Sequence, residues 1–96
     1  MYAVVRSYSG QGASDLFEQL ERRNDEVKDL IGAVPGFVSY TALRSSEGGV
    51  TVTVCQDKTG TDESSRRAAE WVKENISATA DPPVITEGST VVHFNS

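Results

Sequence analysis

The stretch "FVSYTALRSSEGGVTVTVCQD", Phe37 to Asp57, holds two runs rich in β-branched and aromatic residues on either side of a turn. Phe37 to Arg44 reads as a strand, because such side chains suit a pleated, half-buried surface. "SSEGG", residues 45–49, supplies the flexible turn of a hairpin. In the returning strand Val50, Val52 and Val54 alternate with Thr51, Thr53 and Cys55, the two-residue period of a sheet.

Upstream, "YAVVRSY" (residues 2–8) is a further strand. Leu16, Phe17, Leu20, Val27, Leu30 and Ile31 then recur at helical spacing, with Glu18, Glu21, Arg22, Asp25 and Lys28 on the other side. Ser14 and Asp15 are the expected caps, and Gly32 and Pro35 end the helix near Ile31. Downstream, Thr59 or Thr61 is expected to cap a second helix that buries Ala68, Ala69, Trp71, Val72 and Ile76. Asp81-Pro82-Pro83 forces an extended connector, and "VITEGSTVVHF", residues 84–94, reads as a fourth strand with a bulge at Gly88.

The order β-α-β-β-α-β is the split unit of the ferredoxin-like α+β fold. Its usual form is a four-stranded antiparallel sheet with two helices on one face. The 96 residues suffice for one domain, 1–96, with one core. A net charge of −5 argues against nucleic acid, and the doublets Arg22-Arg23 and Arg66-Arg67 have acidic neighbours, as solvated helix faces do. One cysteine and one histidine fall short of a structural zinc set, so no metal is expected. The lone Cys55 and the lack of a leader or a long apolar segment point to the cytoplasm, with no membrane contact.

With both helices on one face, the strands of a lone chain should alternate apolar and polar. Here the first strand offers Tyr2 and Val4 against Ala3 and Val5, and the second offers Phe37 and Leu43 against Val38, Tyr40 and Ala42. The last offers Val91 against Val92 and Phe94. Leaving such side chains wet forgoes about 1.5 kcal/mol or more apiece. A chain this short has no third layer to cover them, so a homodimer through the open sheet face is expected.

"VPGFVSYTALRSSEGGVTVTVCQD", Val34 to Asp57, with "AAEWVKEN" in the second helix, resembles the antibiotic-biosynthesis-monooxygenase type of domain in the dimeric α+β barrel superfamily. The Pro35-Gly36-Phe37 turn and Trp71 carry the likeness. It implies two chains paired sheet to sheet in a barrel, and an oxidoreductase that needs no cofactor, acting on an aromatic or enolisable small molecule. Oxygenases of that kind tend to use an asparagine on the first strand and a tryptophan across the pocket. Arg6 occupies that region of the strand, and Trp71 is the candidate tryptophan. Haem-degrading members carry a histidine on the second helix; this helix has none, and His93 lies on the last strand.

Among candidate residues, "YSGQGASD" (8–15) fails as a nucleotide loop, because Asp15 stands where the third glycine belongs and would repel a pyrophosphate. Gly10 and Gly12 are therefore read as a turn. Arg6, mid-strand, has two readings: a structural pair with Asp57, Glu87 or a second copy, or an anchor for an anionic oxygen. His93 is a general base or a packed histidine. Trp71, Tyr40 and Tyr8 are pocket walls for a small apolar or aromatic ligand, or simply core and sheet-face residues. Cys55 reads as an inert buried thiol, and Thr51 and Thr53 as facing a partner or water. Two functions follow: a small oxygenase in which Arg6 and His93 do the chemistry, or a non-catalytic dimeric module, ligand-binding or stress-related.

Overall fold

The computed structural model describes residues 1–76 and 81–96. Its elements are β1 (Tyr2–Ser9), α1 (Ala13–Arg22), α2 (Asn24–Gly32), β2 (Phe37–Ser45), β3 (Gly48–Cys55), α3 (Lys58–Asn75) and β4 (Val84–Ser89). The strands form one antiparallel sheet in the order β2-β3-β1-β4, the ferredoxin-like arrangement expected from the chain order. The central position of β1 puts Arg6 between two neighbouring strands.

The first helical stretch is two helices. Arg23 departs from helical backbone at φ −112° and ψ 33°. No apolar residue occupies 21–26, so no core contact holds that turn in line, and the Asn24 side chain instead donates to the Glu21 carbonyl at 2.9 Å. α1 begins after Gly12, with no side-chain cap, so the expected caps Ser14 and Asp15 lie inside the helix. Gly10 and Gly12 take φ of 77° and 82°, the left-handed region open to glycine, which makes that loop a turn. For α3 the cap is Asp57, which accepts from the Gly60 amide at 3.3 Å, rather than Thr59 or Thr61. Trp71 and Ile76 are buried as expected, Ala68 and Val72 are half-buried, and Ala69 is exposed.

The fourth strand stops at Ser89, shorter than the sequence pattern suggests, and Gly88 pairs in register with Ala3 without a bulge. Ser89 already sits opposite Tyr2. The Met1 carbonyl accepts from the Thr90 amide at 2.9 Å. Residues 91–96 lie outside the sheet, with Val91 and Phe94 93% and 83% exposed.

The largest revision concerns β3. The register pairs Arg6 with Thr51 and Val4 with Thr53, which turns the threonines inward beneath the helices. Both are buried. Val50, Val52 and Val54 therefore take the opposite side of the sheet, which also carries Ala3 and Val5 from β1, with Val54 itself buried. On β2 an irregularity between Phe37 and Ser39 shifts the alternation, so Phe37 shares the inner side with Tyr40 and Ala42 while Leu43 faces out.

The inner side builds the core. Leu16, Phe17, Val27, Ile31, Trp71 and Tyr8 pack together, with Leu20, Leu30, Phe37 and Tyr40 around them. Tyr8 and Phe17 meet edge to face, ring centres 5.8 Å apart. Gly49 has no side chain because the Phe17 ring occupies the place: a Cβ there would lie 2.5 Å from the ring.

Candidate functional site

Two adjoining spaces lie between the helices and the sheet. The larger is an open groove of about 1090 Å³ between α1–α2 and β2. Its apolar lining includes Phe17, Leu20, Val27, Ile31, Phe37 and Ala42. Glu21, Lys28, Asp29 and Arg44 supply charge at its edge, and Arg44 bridges to Glu21 at 3.4 Å across the mouth. The smaller space, about 20 Å³, lies deeper and is bounded by Tyr8, Leu16, Trp71 and Thr51 among others. Tyr40 lines both spaces.

Arg6 lies below this region, 2% exposed. Its Nη1 donates to the Thr53 and Thr51 hydroxyls at 3.1 and 3.4 Å. Its Nη2 donates to the Ser64 and Ser65 hydroxyls at 2.8 and 3.0 Å. Nε has no acceptor among the described residues. Among these residues no carboxylate pairs with the guanidinium, and the expected partners are engaged otherwise. Glu87 bridges to Lys58 at 3.3 Å, and Asp57 caps α3. Burying an ion costs several kcal/mol even after relaxation. Hydrogen bonds to a charged group are worth about 1.5–3 kcal/mol each, and the four hydroxyls offset much of that cost. The positive charge itself stays uncompensated.

That charge acts on its neighbours. Burial pushes Tyr40 up to about 12, with Arg6 pulling the other way. Burial also raises Tyr8, again opposed by Arg6. Burial lowers the guanidinium from its ordinary value, and so high a starting value keeps it charged at neutral pH. Cys55 is buried, and burial is the first cause that raises its thiol, the condition of an unreactive cysteine.

The structure thus brings Tyr8, Tyr40 and Trp71 to one cavity. Trp71 is fixed by its indole N–H, which donates to Glu26 at 3.0 Å. Arg6 lines neither space and meets the inner one through Thr51, which touches both. His93 stands apart, half-buried on the segment after β4, its Nε2 without a partner among the described residues and lining neither space. The hydroxyl cage escaped the sequence reading. Ser64 stands four residues before Ala68 and seven before Trp71, so a polar group on the core-facing stripe of α3 was the available sign of a buried polar partner.

No protein-family model matches the sequence, and no curated protein matches it. Solved structures do share the fold. One is a monooxygenase from the gene ActVA-Orf6 of Streptomyces coelicolor, in complex with the ligand nanaomycin D; at 19% identity it covers 99% of this chain and 91% of its own, with a TM-score of 0.68. SnoaB, a cofactor-independent oxygenase from Streptomyces nogalater, is 17% identical, covers 99% of this chain and 97% of its own, and has a TM-score of 0.65. A dimeric ferredoxin-like protein from an uncultured marine organism, 10% identical, covers 99% and 96% with a TM-score of 0.64. The chain therefore shares the ferredoxin-like α+β fold of these structures, as the Pro35-Gly36-Phe37 hairpin and Trp71 suggested. No helix among the described residues is long and apolar enough to cross a membrane.

Proposed function

We propose that this protein is a cytoplasmic homodimer that oxygenates an aromatic or enolisable small molecule without a cofactor. The observation that carries the reading is a buried guanidinium with no carboxylate partner among the described residues, bonded to Thr51 in the wall of a space that Tyr8 and Tyr40 also line beside an apolar groove. An apolar ligand fits the groove, and negative charge on it is favoured at the end nearest Arg6. Tyr40, pushed up to about 12, is protonated at neutral pH and donates a hydrogen bond to a phenolate or enolate. Once deprotonated, such a substrate reduces dioxygen itself. Two C–H bonds at one carbon break, one oxygen atom enters as a carbonyl, and the other leaves with the two hydrogens as water.

In this reading Arg6 favours the anion, Trp71 and Tyr8 wall the inner space, and His93 has no role toward its own chain's groove. The outward valines of β3 support pairing through the open sheet face, and so does the dimeric relative. The single free cysteine supports a reducing compartment. Likeness to oxygenases at this identity is analogy of fold, so the test is chemical. Metal-free protein is screened against polyphenols and enolisable ketones in an oxygen electrode. Oxygen uptake that falls in Tyr40→Phe is expected, and ligand binding without uptake favours the second reading, a non-catalytic binding module. The saturation of four Arg6 donors by the protein's own hydroxyls is the observation on that side.

A further inference from the structure

The smaller space is distinct in character from the groove. Aliphatic side chains of α1, α2 and α3 with the Trp71 indole make most of its wall, and its roughly 20 Å³ admits one molecule the size of water. A buried water makes about three hydrogen bonds. Three hydroxyls, of Tyr8, Tyr40 and Thr51, reach the wall, against eight apolar side chains. Hydrocarbon dominates, and small apolar cavities stay dry and accept apolar guests such as xenon. Leu20, Val27, Ile31 and Tyr40 bound both spaces, so the inner one adjoins the groove.

We propose that this inner cavity holds dioxygen, presented to the groove beside Tyr40; the assignment rests on the oxygenase reading. Dioxygen is small and apolar and asks for no hydrogen bond, so a hydrocarbon pocket off the substrate groove concentrates it where water gains little. The hydrogen bond from Trp71 to Glu26 steadies one wall, and the Arg67 guanidinium bonded to the Leu30 carbonyl at 2.9 Å ties α2 to α3 on another.

The test needs no substrate. Methyl resonances are recorded under pressurised oxygen, whose unpaired electrons speed relaxation of nearby nuclei. Leu16, Leu30 and Val72 should relax several-fold faster than Val4 and Val34, which are buried elsewhere. Ala68→Val narrows the cavity and should remove the difference, and Val72→Ala widens it and should enlarge the effect at Leu16 and Leu30. A xenon-pressurised crystal should show one atom at the same place. Uniform relaxation of all buried methyls overturns the proposal, as does an ordered water joining the Tyr8 and Tyr40 hydroxyls in that space. Oxygen held there by a protein that oxidises no phenol or enol would sink the oxygenase reading and leave the oxygen-holding cavity standing. Oxygen uptake with uniform relaxation would sink the cavity assignment alone.

Discussion

The Arg6 guanidinium donates to the Ser64 hydroxyl at 2.8 Å, joining the central strand to α3 through the core. The Ser64 hydroxyl donates its own hydrogen bond to the Thr61 carbonyl at 2.7 Å, which leaves its oxygen to accept from the cation. Loss of that oxygen leaves a buried charged donor short of an acceptor. Ser64→Ala should therefore destabilise the fold by about 1–3 kcal/mol, read as a lower midpoint in urea denaturation. An unchanged midpoint would mean that the cage is not what holds Arg6.

Tyr40 sets an alkaline limit on stability. An unfolded tyrosine ionises near 10, whereas the folded Tyr40 is pushed up to about 12. Between those values the unfolded chain has released a proton that the folded chain still holds, so stability falls as pH rises through the window. The loss should approach about 3 kcal/mol at the top of that window, followed by denaturant melts at rising alkaline pH. Tyr40→Phe should flatten the dependence, and its phenolate absorbance should vanish from the late part of the titration.

The groove depends on a small residue. Ala42 on β2 is exposed and lines it. Ala42→Trp should fill the groove and abolish ligand binding or turnover, while stability moves by less than about 0.5 kcal/mol as for other surface substitutions. Binding of an aromatic ligand that survives the change would place the site elsewhere.

The open face is tested by charge. Val52 faces out between Val5 of β1 and Thr41 of β2. Val52→Lys would bury an unpaired ammonium in any pair built on this face. Sedimentation should show a dimer for the parent protein and a single chain for the variant, with unchanged circular dichroism. A variant that still sediments as a dimer pairs through another surface.

Much of the architecture was readable from local pattern. The hairpin, the helical spacing of Leu16 to Ile31 and the proline connector depend on neighbours within a few residues, so the element order and the sheet type follow from the chain alone. Arg6 in the middle of a strand was legible for the same reason. What the pattern did not contain was the direction in which each strand faces. Val50–Val54 alternates equally well with valine in or threonine in, and the apolar residue inside is the usual choice.

Only the packed structure resolved that ambiguity, because it depends on a long-range partner. The buried guanidinium needs oxygen acceptors from residues 45 and 58 positions away, and those it finds are hydroxyls rather than a carboxylate. The threonines accordingly turn inward and the valines outward. Tyr8, Tyr40 and Trp71 likewise meet only when β1, β2 and α3 are assembled, since no spacing along the chain encodes the distance between them. Sequence determined which segments are extended or helical, through local sterics and periodicity. Tertiary structure decided which face is the core and where the cavity lies, through satisfaction of one buried charge.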